Sequence, residues 1–244
     1  MSPDLAPPRA VLLDALGTLI GIEPPWQPFV DLLELRHGIA ITLEQAVPAL
    51  RAEMEYYRGH CQAARDAASL AVLRDDCARV VADALGGRVA ALDRPALTRT
   101  LLDALGFAAY PDAAAALGGL RDRGVRLVVL SNWDISLHDV LAGSGLAGLL
   151  DGVVCSAEQG VAKPAPEIFH AALAVAGVPA ELAVHVGDSY AEDVLGARAA
   201  GIEPVLLVRA PGDGGLLSTQ EHSPPGDVRT IHSLAELLPS PNLR

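Results

Sequence analysis

Five short apolar runs punctuate the chain, at residues 10–13, 125–130, 152–155, 182–186 and 204–208. Each is aliphatic, too short for a buried helix, and bounded by turn formers, which predicts strands buried on both faces. Helical periodicity fills the gaps between the later runs, at residues 112–123, 166–176 and 191–200. Each of these ends on a glycine (Gly124, Gly177, Gly201) where a left-handed cap is wanted. Strand–helix alternation of this kind predicts a parallel sheet with right-handed crossovers, an α/β, Rossmann-like core.

The first strand breaks this rhythm. Residues 21–105 carry helical pattern and no convincing strand. Within 69–85, Leu70, Leu73, Cys77, Val80, Val81 and Leu85 share one face. Leu97, Leu101 and Leu105 recur every fourth residue after Pro95, which suits a first helical turn. Thr42 with Gln45 reads as a capping box, although Pro48 is expected to disturb a helix running on from it. The expected organisation is therefore a core of residues 1–20 and 106–244, with an all-helical cap domain of 21–105 inserted after the first strand. The Gly-, Pro- and Ser-rich stretch 210–227 reads as a loop, followed by an edge element at 228–231 and a closing helix at 233–238.

Composition narrows the function classes. The 244 residues are 51% hydrophobic and 20% charged, the pattern of a globular chain. A net charge of −12 argues against nucleic acid or an anionic membrane as partner, since both are polyanions. Cys61, Cys77 and Cys155 show no metal-binding or disulfide spacing, which fits a reducing cytoplasm. Residues 1–9 lack the apolar core of a secretory signal, and no run has the length of a membrane span. The expectation is a soluble cytoplasmic protein.

Four segments at strand ends carry the chemistry. Asp14-Ala15-Leu16-Gly17-Thr18-Leu19 follows the first strand, and Ser131-Asn132 follows the second core strand. Lys163-Pro164 lies in the loop after Cys155, with Pro164 biasing Lys163 toward an extended backbone. Gly187-Asp188-Ser189-Tyr190-Ala191-Glu192-Asp193 follows residues 182–186. Carboxyl ends of parallel strands are where ligands bind in such sheets. Asp14 and Asp188 can hold a hard cation through oxygen, with Lys163 offsetting the crowded negative charge. Thr18 and Ser131 can hydrogen-bond a phosphoryl group, and Asp14 can attack it as a carboxylate nucleophile.

These four ordered motifs resemble those of the haloacid dehalogenase superfamily over roughly residues 11–208, and the helical insert resembles that family's cap. The resemblance implies that Asp14 is the nucleophile and that Mg²⁺ is held by Asp14, the Leu16 carbonyl oxygen and Asp188, supported by Asp193. Thr18, Ser131, Asn132 and Lys163 would surround the transferred group, and the activity implied is a phosphatase acting through an aspartyl-phosphate. One position departs from the pattern. Leu16 stands where the family's phosphatases carry the acid that protonates the leaving group and then activates water.

That departure leaves three readings open. The first is a phosphatase of slow or selective turnover, in which Asp134, His138 or Glu192 can stand in for the acid. The second is a metal-independent 2-haloacid dehalogenase. Such enzymes also lack the acid, and Arg51 would be the cap's anion anchor. The third is a non-catalytic protein binding Mg²⁺ and a phosphorylated ligand, since branches with Ser-Asn-aromatic-Asp, here Ser131-Asn132-Trp133-Asp134, lack a clear substrate. Against the second stand the metal-binding form of the fourth motif and Phe169, where dehalogenases tend to carry Tyr. Trp133 reads as a packed side chain and His185 as a satisfied core histidine.

Overall fold

A computed structural model describes residues 8–210 and 227–239. The chain divides into two compact units, Met1–Gly21 with Ala108–Arg244, and Ile22–Phe107. The expected signal-free terminus lies almost wholly outside the described residues, as does the expected 210–227 loop except at its two ends.

The first unit is built on a six-stranded sheet. Its strands are β1 (Ala10–Leu13), β4 (Arg126–Ser131), β5 (Gly152–Cys155), β6 (Ala183–Gly187), β7 (Glu203–Leu207) and β8 (Arg229–Ile231). The order is β5-β4-β1-β6-β7-β8, with every pair parallel. The chain therefore builds outward from β1 on one side through β4 and β5. It then returns to the other side of β1 for β6, β7 and β8. That reversal places β1 at the switch point, where the crossovers diverge and leave a crevice beyond the strands' carboxyl ends.

Burial on both faces follows from the residues. Ala10 and Leu12 share a core cluster with Val128, Leu130, Val154, Ile168, Phe169 and Ala172. Their alternates Val11, Leu13, Leu127 and Val129 are buried as well. On the first face lies α9 (Pro166–Ala176), which starts on a proline and ends at Gly177 with φ 69°. Behind it is α10 (Leu195–Ala199), where Gly196 leaves room for the Phe169 ring. α6 (Ala113–Arg121) packs on β4, and α7 (Leu137–Gly143) and α8 (Ser156–Gln159) follow β4 and β5. The expected helix over 191–200 differs at its start, opening with a π-helical turn over Tyr190–Val194 before α10. The closing helix is a single 3₁₀ turn, Leu234–Leu237, capped by Ser233 and Glu236.

The second unit holds α1 (Trp26–His37), α2 (Leu43–His60), α3 (Ala67–Leu85), α4 (Gly87–Ala90) and α5 (Arg94–Ala104). Thr42 and Gln45 form the reciprocal capping box of α2. Contrary to expectation, α2 runs through Pro48. Only one backbone bond is lost there, and the apolar stripe Ala46, Ala49 and Leu50 stays buried as α2 packs along α3. Two strands, β2 (Ile20–Glu23) and β3 (Gly106–Ala109), pair with each other and carry the chain between the units. They correct the expectation that residues 21–105 hold no convincing strand, since β2 runs into that interval. β2 is only four residues long with a glycine inside, and β3 has no buried alternate face, so neither shows a periodic signal. Among the described residues, no helix is long and apolar enough to cross a membrane.

Leu12 is wholly buried on the central strand, and Leu12→Ala is expected to lower the unfolding free energy by about 2–5 kcal/mol. Thr42→Ala, at an exposed helix cap, should cost about 0.5–2 kcal/mol. Urea unfolding followed by circular dichroism separates the two.

Candidate active site

The sheet brings the ends of β1, β4 and β6 side by side. Leu13 is level with both Val129 and Val186, so Asp14, Ser131 and Gly187-Asp188 emerge as neighbours. The Asp14 N–H continues the ladder onto the Val186 carbonyl at 2.9 Å. The chain then turns back on itself at once. Ala15's carbonyl accepts the N–H groups of Leu19 and Ile20, and Gly17 donates to Ile20. Gly17 has φ +85°, and a Cβ there would fall on the Asp188 carboxylate. Only glycine meets both conditions.

Lys163 organises the charges. Its Nζ lies 2.6 Å from Asp14 Oδ1 and 2.6 Å from Asp193 Oδ1, and all three side chains are buried. Its backbone is gripped by Asn132, whose Oδ1 accepts the Lys163 N–H at 2.8 Å while Nδ2 donates to the Lys163 carbonyl at 3.0 Å. Asn132 Nδ2 also lies 3.0 Å from Glu192 Oε2. Asn132 thus aims the lysine. Ser131 Oγ donates to Asp14 Oδ1 at 3.1 Å.

Asp193 reaches the cluster from the π-helical turn. The Ser189 carbonyl accepts from Asp193 at 2.9 Å and from Val194 at 3.3 Å, and the widened turn returns the Asp193 side chain to the Ser189 N–H at 3.0 Å. Gly187 lacks a Cβ where the Asp193 carboxylate lies. His185 Nε2 completes the contact at 2.9 Å from Asp193 Oδ1, with its ring edge-on to Phe169. His185 is therefore more than the core histidine expected from its apolar strand. It holds a site carboxylate, and among the described residues its Nδ1 has no partner.

The protonation pattern follows from burial and charge. Burial pushes Asp14 upward against the pull of Lys163. Burial acts on Asp193 in the same sense, but Lys163 and His185 outweigh it and hold the group well below the carboxylate range. Lys163 loses to burial and regains more from Asp14 and Asp193, so it stays charged. Asp188 is the unmatched group. Burial, then repulsion from Asp14 and Asp193, push it up to about 8. Oxygen atoms of Asp14, Asp188 and Asp193 all lie within 4.8 Å of one another. Three clustered carboxylates against one ammonium, with one carboxyl forced to keep its proton, form a donor set suited to a hard divalent cation. The Leu16–Ile20 bridge uses the Ala15 carbonyl and the Gly17 N–H, and so leaves the Leu16 carbonyl outside it.

The remaining candidates separate. Thr18 is fully buried and its Oγ1 has no partner among the described residues. Asp134 is buried and accepts the Ser136 N–H at 2.6 Å. His138 faces Glu158 at 3.1 Å on an exposed surface. Trp133 is buried, and its own carbonyl accepts from Cys155 and Ser156. Arg51 is exposed on α2. Sequence reasoning missed Arg209, which donates to the carbonyls of Gly17 and Thr18. Its only local signal is a lone cation at the end of an apolar run.

Comparison with known proteins fits this arrangement. Relatives include the Bos taurus haloacid dehalogenase-like hydrolase domain-containing protein 3, 42% identical over 131 residues, covering 52% of this chain and 49% of that one. A Thermus thermophilus phosphoserine phosphatase is 40% identical over 134 residues, covering 53% and 51%. The chain thus spans about half the length of the curated relatives it matches. A HAD phosphatase structure from Thermococcus onnurineus superposes with TM-score 0.60 at 26% identity, covering 94% of this chain and 95% of that one. The L-2-haloacid dehalogenase of Xanthobacter autotrophicus shares the fold at TM-score 0.63 and 24% identity, covering 94% and 96%. Residues 8–201 match the haloacid dehalogenase-like hydrolase family, and the chain belongs to it.

Proposed function

We propose that this protein is a Mg²⁺-dependent phosphatase of a small phosphorylated metabolite, working through an aspartyl-phosphate on Asp14. The observation that carries this reading is the unmatched carboxyl of Asp188 beside Asp14 and Asp193. The phosphatases among its relatives support the substrate class. On this reading Ile22–Phe107 is the cap domain. Asp14, the Leu16 carbonyl and Asp188 would hold Mg²⁺, with Asp193 in support, and the ion would supply positive charge against the phosphoryl oxygens.

The chain's own residues set up the rest. Ser131 and Lys163 both bind Asp14 Oδ1, which fixes the carboxylate's rotation and leaves Oδ2 to attack phosphorus. The Oδ2–P bond forms as the bond to the leaving oxygen breaks, and Lys163 offsets charge on the transferred group. Water then cleaves the acyl phosphate and restores the carboxylate. Leu16 carries no proton to the leaving oxygen, and acid assistance is worth about 10²–10⁴-fold. Substrates whose leaving group departs as a stable anion are therefore favoured. Among the three stand-ins named from sequence, Glu192 is bonded to Asn132 in the Lys163 network, whereas Asp134 and His138 are engaged elsewhere.

Leu16 also suits halide departure, which needs no proton, so 2-haloacid dehalogenation is the second reading. It has no use for the Asp188 carboxyl, and Arg51 is exposed in the structure described.

Three outcomes are expected. Purified protein should release phosphate from p-nitrophenyl phosphate only with Mg²⁺, and Asp14→Asn should reduce this to background. Absence of phosphate release across a broad metabolite panel overturns the reading, and metal-independent chloride release from 2-chloropropionate selects the dehalogenase instead. Leu16→Asp should speed turnover of poor leaving groups by up to about 10²-fold and change p-nitrophenyl phosphate turnover far less; equal effects on both substrates count against Leu16 as the source of leaving-group selectivity. Finally, burial and then the neighbouring Asp14 and Asp193 push Asp188 in the folded chain up to about 8, well above the ordinary carboxylate range. Without metal, its contribution to stability is full below about pH 4 and is lost as pH rises toward 8, because the unfolded chain releases this proton first. Mg²⁺ competes with that proton, so the rise in Tm on adding Mg²⁺ should be larger at pH 8.5 than at pH 6. Asp188→Asn should remove the difference.

A further inference from the structure

Arg209 lies two residues beyond β7, in the same unit as the Asp14 turn, and is 7% exposed. Its Nε donates to the Gly17 carbonyl at 3.3 Å and its Nη2 to the Thr18 carbonyl at 2.5 Å. The same guanidinium faces Asp112 at 3.2 and 3.4 Å and lies over the Tyr110 ring, 3.6 Å from its centroid. Asp112 is held in turn, accepting from Ser233 Oγ at 2.8 Å and from the Leu234 N–H at 2.9 Å.

The turn itself explains why a guanidinium stands there. The N–H groups of Thr18, Leu19 and Ile20 all point to the Ala15 carbonyl, and that of Gly17 points to Ile20. The turn thus consumes its own donors, and among the described residues no backbone N–H outside the regular elements reaches the Gly17 and Thr18 carbonyls, which lie in a buried segment. A buried carbonyl without a donor keeps its desolvation cost uncompensated. Arginine meets two carbonyls and a carboxylate at once because its five donors lie in one rigid plane; an ammonium has no such fork. Tyr110 and Asp112 fix that plane. Tyr110 also donates its N–H to the Leu19 carbonyl at 3.0 Å, so both ends of the turn are tied to the same cluster.

We propose that Arg209 is a positioning residue for the reaction at Asp14, clamping the turn that carries the nucleophile through the Gly17 and Thr18 carbonyls. It acts from behind the turn, on the backbone. The Leu16 carbonyl shares a peptide plane with the Gly17 N–H, which donates to Ile20 within the same turn, so a turn held in shape also holds that carbonyl's direction. This inference rests on the phosphatase reading for its effect on turnover, but its effect on the turn is independent of it.

Arg209→Lys tests it by two readouts, steady-state kinetics with p-nitrophenyl phosphate and amide hydrogen exchange. A misplacement on the order of 1 Å costs about 10²-fold, so kcat should fall roughly 10- to 100-fold with KM within about twofold. Exchange in the segment 14–20 should quicken at least about tenfold while β1 and α9 keep their protection. Unchanged exchange in 14–20, or a uniform loss of protection across the chain, overturns the proposal. So does a rise in KM with kcat intact. If the wild-type protein turns over no substrate, the phosphatase reading fails, and the exchange comparison alone decides the clamp. Should Arg209→Lys not fold, Asp112→Asn removes the carboxylate that orients the guanidinium and should give the same pattern at smaller amplitude; wild-type exchange and kcat in that variant overturn the clamp.

Discussion

The buried ammonium of Lys163 between Asp14 and Asp193 is the interaction around which the rest of the site is arranged. Withdrawing such ions from water costs several kcal/mol each, and attraction repays it only with good geometry and further hydrogen bonds. The surrounding structure supplies both. Asn132 fixes the lysine backbone, Ser131 binds Asp14, and His185 and the Ser189 N–H bind Asp193. Asp14 follows β1, Ser131 and Asn132 lie at the end of β4, and His185 and Ser189 lie in and just beyond β6, so the triad exists only when these three strands are in register. Folding of the sheet and assembly of the charges are one event.

Within that arrangement the carboxyl of Asp188 is the group the protein's own charges do not satisfy, and the side chain of Leu16 is the one that does no chemistry. On the phosphatase reading proposed above, the first would take a cation, and the second would leave the departing oxygen without a proton carrier while keeping the backbone carbonyl in place. Selectivity for the leaving group would then follow from one aliphatic residue.

Local physics made much of the fold legible. β1, β5 and α9 match their expected spans residue for residue, because runs buried on both faces and proline–glycine punctuation are signals carried within a few residues. β2 and β3 gave no such signal, and the π-helical turn over Tyr190–Val194 keeps an apolar pattern close enough to α-helical to be read as one. The site residues were visible as polar positions at strand ends, and their ordered resemblance to a family gave them roles. His185 and Arg209 were not visible in the same way. His185 acts on a carboxylate eight residues on, and Arg209 grips main-chain oxygens 191 and 192 residues away. A backbone carbonyl has no letter in the sequence, so its partner cannot be found by pattern.

The π-helical turn before α10 has a consequence for how this segment can vary. An α-helix advances about 100° per residue, so deleting one residue from 190–194 would rewind the turn into regular helix and rotate its start relative to α10 by that angle. The apolar face of α10, seated on Phe169, would then be correct only if Asp193 swung away from Lys163, or the reverse. Length in this stretch is therefore under tighter constraint than composition. The side chain at Ala191 is exposed and packs on nothing that fixes the turn, whereas a one-residue deletion forces a choice between the helix's seat in the core and the carboxylate's place beside the lysine.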